Sequence, residues 1–418
     1  MTDPVGAFRS GAARSDRLFW LDGGGSRPWS GRRSIIGVLD ESDVSLTYDA
    51  SRGEVVRHVD GTSTAVGGDV FAALEQEIDR DDGDPQVSWV GYFGYASRAD
   101  LPARPSTSAP DAVWMRVRDP LIVEHDTDSR VAAAVHSAEP VGAPADYVAA
   151  FEEVQRQLHL GNSYEVNLTY REHLRSGVDP VSAYLRLREV NPAPYAGFLR
   201  HRDVCVLSSS PERYATVDRH RTLETKPIKG TTTRGADPAR DELARQQLES
   251  DPRFRAENLM IVDLLRNDLS MVCEAGSVEV PALMQVESYA SVHQLVSTVR
   301  GRLRADVSTV GALRALFPAG SMTGAPKLRT MQVIDSVETT PRGVYAGAFG
   351  WISADGRADL GVVIRTLVAT PVGSGWSYEY GTGGGITVRS DVESEYAETR
   401  WKAERLRAAV LSATSSQG

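Results

Sequence analysis

The 418-residue sequence predicts an α+β protein whose sheets are covered by helices. Two observations carry that expectation. Short apolar runs, broken by Gly, Pro, Asp and Ser, recur through both halves of the chain and read as strands. Fewer, longer segments repeat apolar residues at the spacing of an amphipathic helix. No internal repeat accompanies them.

Residues 1 to about 15 read as a loose end, and residues 412–418, rich in Ser and Gly, as a flexible tail. Between them, residues 1–140 form a β-rich N-terminal region. Its strands are expected at Ser34–Leu39 and Val87–Tyr95. One helix interrupts them over Gly68–Arg80, where Phe71, Leu74 and Ile78 recur at helical spacing. Leu101–Ala109 is a Pro/Ser-rich loop. A second region, 145–411, opens with an amphipathic helix over Tyr147–Leu158. Strands at Tyr164–Thr169 and Val204–Leu207 follow, then a long helical stretch over Pro238–Leu269. Further strands are expected at Tyr345–Ile352, Gly361–Thr370 and Trp376–Tyr380. The last element is a helix over Asp391–Leu411, with Ser390 and Glu393 in capping-box spacing.

The net charge of -10 argues against nucleic acid as the main partner, which needs a basic face. No apolar run is long enough to span a bilayer, and Met1–Arg14 lacks the apolar stretch of a secretory signal. A cytoplasmic protein is expected, with Cys205 a buried packing thiol in Val204–Leu207.

Positive charge is written almost entirely as Arg. The chain has four lysines, at 226, 229, 327 and 402, among 46 basic residues, leaving 46 − 4 = 42 arginines. A lysine amine can lose its proton when desolvated, whereas an arginine stays charged. Lys229, in Pro227–Thr231, is therefore a candidate nucleophile, with Glu212 of Ser209–Arg213 a candidate proton donor. An ordinary ion pair between the two is the plainer alternative.

Other residues suggest binding. Glu395 and Glu398 share a face of the last helix, and Glu257 lies on another helix. Carboxylates converging from two helices suit Mg2+, although spacing alone fits a solvated face better. Gly381–Gly385 reads as a glycine-rich turn whose N–H groups could hold an anion, or as a plain tight turn. Arg365 interrupts an apolar strand, where a guanidinium needs a carboxylate, from protein or from substrate. Gly320–Lys327 has the wrong spacing for a P-loop, which removes an NTPase reading.

The ordered segments GNSYEVNLTYR, SSSPER, ETKPIKGT, RAENLMIVDLLRND, VHQLVSTV, GSMTGAPKLRTMQVID, VVIRTL, GTGGGI and ESEYAETRWK resemble the chorismate-utilising enzymes, in their aminodeoxychorismate synthase component I branch. The likeness spans about residues 145–411. It extends more weakly through Phe19–Asp22, Arg27–Ser30 and Gly91–Tyr95, with Ala96 where the family commonly has Glu. The resemblance implies an anthranilate-synthase-like fold of two intertwined α/β subdomains, with packed antiparallel sheets and helices outside. It implies Mg2+ held by Glu257, Glu398 and Glu395, binding the ring carboxylate of chorismate. Phe254 stands where some relatives carry a further acid. Arg365, Tyr345, Gly383, Gly384 and Gly385 would hold the enolpyruvyl carboxylate. His293 (carried as a catalytic candidate), Thr298, Ser321, Gly230, Thr231 and Lys402 match other substrate-contacting positions.

The implied reaction is covalent. Lys229 attacks C2 of chorismate while Glu212 protonates the leaving C4 hydroxyl; ammonia then adds at C4 and expels the lysine, giving 4-amino-4-deoxychorismate. Anthranilate synthases carry Ala in place of Lys229, and isochorismate-forming relatives carry a lysine base in place of Glu165. Neither cysteine lies in a glutaminase-like elbow, and the resemblance implies that ammonia comes from a separate glutamine amidotransferase subunit. The alternatives are an anthranilate synthase component I and a non-catalytic chorismate- or tryptophan-binding regulatory subunit, against which the intact set of site residues speaks; Trp29-Ser30 is compatible with tryptophan binding by the N-terminal region.

Overall fold

The computed structural model describes residues 3–23, 32–125, 141–235, 237–289 and 292–411. The expected tail at 412–418 and the Trp29-Ser30 site lie outside these residues.

Two antiparallel sheets organise the molecule. In sheet order, the first contains Gly324–Ala325, Glu165–Ser176, Gly375–Ile386, Thr366–Val372, Val204–Ser210, Tyr195–His201, Arg17–Asp22, Arg33–Val38 and Leu121–Glu124. The second runs Ile228–Thr233, Val292–Arg302, Thr222–Lys226, Arg213–Val217, Ala358–Val362, Ala348–Ser353, Val87–Phe93, Ala112–Arg118, Ser45–Asp49, Glu54–Val59 and Thr62–Gly67, with Glu279–Ser288 also pairing Val292–Arg302. Strands from early and late in the chain share both sheets.

The sheets pack face to face. Phe19, Leu199, Val206 and Val368 of the first meet Tyr92, Val113, Met115 and Phe349 of the second in one buried cluster. Helices cover the outer faces. Pro180–Val190 and Val392–Val410 bury Tyr184, Leu187 and Leu406 on the first sheet. Val70–Asp79, Pro252–Ser270 and Thr309–Leu316 bury Phe71, Leu74, Ile261 and Leu313 on the second. The expected α+β layering is thus present, as are the helices near 68–80 and 147–158.

Several local expectations change. The chain start is ordered: Pro4–Ala12 is a helix capped by Asp3. Its Phe8 is fully buried, with ring centroids 5.1 Å from Trp20 and 5.0 Å from Phe198. Phe8 anchors the helix, with Val5, Ala7 and Ala12 packed against the same cluster. The stretch Pro238–Leu269 is two helices, Pro238–Ser250 and Pro252–Ser270. Pro252 supplies no N–H to continue the first, and Asp251 caps the second. The last helix is capped by Asp391, which accepts from Ser394 N at 3.0 Å; the Ser390 hydroxyl instead accepts from Thr387 N at 3.1 Å.

Two corrections shape the site. The expected strand Gly361–Thr370 is the end of one strand and the start of another, in different sheets. Arg365 stands at the crossing with φ 49°, in the left-handed region. The glycine run Gly381–Gly385 is not a turn. It continues the strand Gly375–Ile386, paired along Glu165–Ser176 with Gly383 opposite Thr169 and Gly385 opposite Asn167.

Candidate functional site

A cavity of about 380 Å³ opens between the ends of the two sheets and the helices Pro252–Ser270 and Val392–Val410. That volume suits a small metabolite. Of the candidate residues, Glu212, Lys229, Gly230, Thr231, Glu257, Ser321, Tyr345, Arg365, Gly383, Gly384, Gly385, Glu395, Glu398 and Lys402 all line it. His293 and Thr298 do not. Both are buried on the strand Val292–Arg302. His293 Nε2 lies 3.0 Å from Asp241 Oδ1, and its Nδ1 lies 2.7 Å from Ser288 Oγ. Its hydrogen bonding is thereby directed into the protein and not toward the cavity.

Lys229 is aimed by a backbone irregularity. The pairing of Ile228–Thr233 with Val292–Arg302 slips between Ile228 and Thr231. Gly230, within that bulge, has φ 89°. A side chain there would be strained, and its Cβ would press on Phe254 at 2.8 Å. The bulge turns Lys229 inward, where its Nζ donates to Glu165 Oε1 in a buried ion pair. Burial works to lower the Lys229 pKa, but the carboxylates of Glu165, Glu257 and Glu212 outweigh it and hold it above the usual lysine value. Glu165 itself is only 1% exposed, and its Oε2 has no hydrogen-bond partner. Gly385 makes room for it, because a Cβ at Gly385 would collide with Glu165 Oε1.

Glu212 sits in the link between Val204–Ser210 and Arg213–Val217, across from Ser321. Burial pushes its carboxyl up to about 7, against the opposing pull of a Ser321 hydrogen bond and of Lys229, Arg365 and Lys402. It is a buried acid that is partly protonated near neutral pH. Arg365 lies with its guanidinium 6.0 Å from the centroid of the Trp401 ring.

Glu257, Glu395 and Glu398 reach the cavity from the two helices. As their side chains stand, cations inside the protein engage all three. Arg253 bridges Glu257 at 2.9 Å and Glu395 at 2.5 Å. Lys402 holds Glu398 at 2.8 Å and donates to Gly383 O at 3.0 Å. Among the described residues, no three His, Cys, Asp or Glu groups stand close enough to hold a metal ion. The donor chemistry still fits Mg2+, since three carboxylates from two helices border one space; burial raises the pKa of Glu257 and Glu395, which favours their neutral form and opposes metal binding. Lys402 lowers the pKa of the third, Glu398.

Sequence reasoning missed Arg253, and it read Glu165 only as the place where some relatives carry a lysine base, not as the partner of Lys229. The spacing of Arg253 and Glu257, four residues apart on one helix, was the available signal for the first. Nothing local signalled the second, since Glu165 and Lys229 are 64 residues apart.

Behind the wall lies a buried network. Glu338 bonds Arg342 at 2.6 and 3.0 Å and Arg171 at 3.4 Å. Arg171 lies over the Tyr345 ring at 4.6 Å, and Arg342 over the Tyr95 ring at 4.6 Å. The N-terminal region is thus tied to a residue of the cavity wall.

Sheets packed in this way around a cleft of paired acids and cations define a class, and the comparisons give it a name. The family model for chorismate binding enzyme matches residues 129–408, and the chain belongs to that family. The aminodeoxychorismate synthase of Streptomyces pristinaespiralis is 39% identical over 98% of this chain and 64% of its own length. The chain therefore spans a little under two thirds of that relative. Aminodeoxychorismate synthase component 1 of Salmonella typhimurium is 38% identical over 76% of this chain and 75% of its own. The crystal structure of anthranilate synthase component I from Streptococcus pneumoniae superposes with a TM-score of 0.74 at 25% identity, covering 92% of this chain and 93% of that one. The expected anthranilate-synthase-like fold is the fold found.

Proposed function

We propose that this chain is an aminodeoxychorismate synthase component I, converting chorismate and ammonia to 4-amino-4-deoxychorismate. One observation carries the reading: Lys229 is turned by a bulge into the same cavity as Glu212, a buried carboxyl with a pKa of about 7. A nucleophile and an acid that is still protonated near neutral pH are the two groups a covalent displacement needs.

Lys229, once deprotonated, forms a bond to C2 as the C4–O bond breaks, and Glu212 gives its proton to the departing hydroxyl. Ammonia then adds at C4, the C2–N bond breaks, and Glu212 takes back a proton. Arg365 and the strand Gly383–Gly385 would hold a substrate carboxylate. Mg2+ held by Glu257, Glu398 and Glu395 would offset the charge of the ring carboxylate. Both cysteines are buried, with burial pushing their thiols up to about 11. Neither suits a glutaminase nucleophile, and ammonia delivery by a separate glutamine amidotransferase subunit is part of this proposal. The name "component 1" carried by the Salmonella relative supports the same arrangement.

The test is turnover with chorismate, Mg2+ and ammonia, followed as 4-aminobenzoate after adding a lyase. Formation of anthranilate instead would assign the chain to the other branch. Mass spectrometry should find a substrate adduct on Lys229, and Lys229→Ala should abolish or redirect turnover.

A further inference from the structure

Arg253 occupies an unusual place. Its guanidinium joins the first turn of the helix Pro252–Ser270 to that of Val392–Val410, giving Nε to Glu257 and Nη2 to Glu395. Both carboxylates are buried. Two such carboxylates facing one space repel each other unless a cation lies between them. Arg253 is that cation. Its side chain is 38% exposed, so it can leave toward solvent at little steric cost.

We propose that Arg253 is a resident counter-cation that competes with a divalent metal ion for Glu257 and Glu395. The inference rests on reading those two acids as Mg2+ ligands. Without metal, the fork of Arg253 pins the two helices together through charge-assisted hydrogen bonds. A metal ion that bridges the same helices through these carboxylates has to take them from the guanidinium. The freed arginine swings outward, and the cavity exchanges a single positive charge for a double one. Arg253 thereby sets the metal concentration at which the cleft becomes loaded. It acts through the metal ligands and is a positioning residue.

Calorimetric titration of Mg2+ into the full-length chain and into Arg253→Gln tests this, together with thermal unfolding of each with and without Mg2+. The glutamine variant is expected to bind Mg2+ about tenfold more tightly, equivalent to about 1.4 kcal/mol. It is also expected to melt lower than the parent without metal, and to gain more from Mg2+. Arg253→Lys, which keeps charge but loses the fork, should fall between the two. Equal or weaker Mg2+ binding by Arg253→Gln, with binding intact in the parent, overturns the competition and leaves the metal site standing. Absence of Mg2+ binding in both proteins removes the metal reading itself, and the inference with it.

Discussion

Lys229 is ion-paired with Glu165, not with Glu212. The pair is buried, and it joins two strands that lie in different sheets. The candidate nucleophile is thus stored as an ammonium next to a carboxylate that can accept its proton. Removing the charge of Glu165 should therefore lower the Lys229 pKa. With only four lysines in the chain, lysine labelled with 13C beside the amine gives few signals to assign. In Glu165→Gln the Lys229 signal should titrate at lower pH than in the parent; an unchanged titration would remove Glu165 as the controlling group.

Glu212 predicts a pH limb. Its carboxyl is raised to about 7 from an ordinary 4.5, so the protonated acid persists through mildly acidic pH and is lost as pH rises through about 7. Under saturating ammonia, kcat/KM for chorismate should fall on the alkaline side of that value. Glu212→Gln should lower turnover by at least about a hundredfold and abolish this limb. A limb that survives the substitution belongs to another group.

Glu338 should matter for stability. It is the one carboxylate hydrogen-bonded to both Arg171 and Arg342, and each of the three side chains is 2% exposed. Replacing it with Gln leaves two buried guanidinium groups without that charge, a loss of about 3–5 kcal/mol. Chemical denaturation of Glu338→Gln reads this directly. A change below about 1 kcal/mol would mean that the network is held by its backbone acceptors instead.

Acid should loosen the packing of the N-terminal region against the strand Tyr195–His201. His58 and His201 are buried, with ring centroids 5.8 Å apart. Burial, with Arg202 and Arg17 nearby, lowers His58 from 6.5 to about 4; burial, His58 and those arginines lower His201 to about 3. The unfolded chain therefore takes up protons first, and this stability is lost as pH falls from about 6.5 toward 4. Melting temperature should drop over that window, and His58→Gln with His201→Gln should flatten the drop.

Part of the site was legible in the sequence, through local signals or through likeness to the family. Lys229 stood out among four lysines, whereas the bulge at Gly230 that aims it was not read from the sequence. Glu395 and Glu398 share a helix face, but that spacing alone favoured a solvated face, and it was the family resemblance that grouped them with Glu257. His293 and Thr298 were brought in by likeness alone, and both lie outside the cavity; Asp241 and Ser288 direct the His293 imidazole elsewhere. Arg365 was correctly singled out in a segment that was misread: the same apolar residues serve two strands, and no periodicity marks a passage from one sheet to the other.

By itself, the sequence determined the α+β class and several helices, because these depend on composition and on neighbours a few residues away; the family resemblance supplied most of the groups that face the cavity, and the glycine run was read as a turn where the fold makes it a strand. The tertiary structure alone decided the partners: Glu165 with Lys229, Arg253 between Glu257 and Glu395, and Arg171 beneath Tyr345. Charges this well buried are paired by the folded path of the chain. Residues far apart in sequence meet where two sheets close on each other, and desolvation there makes each unpaired charge too costly to leave alone.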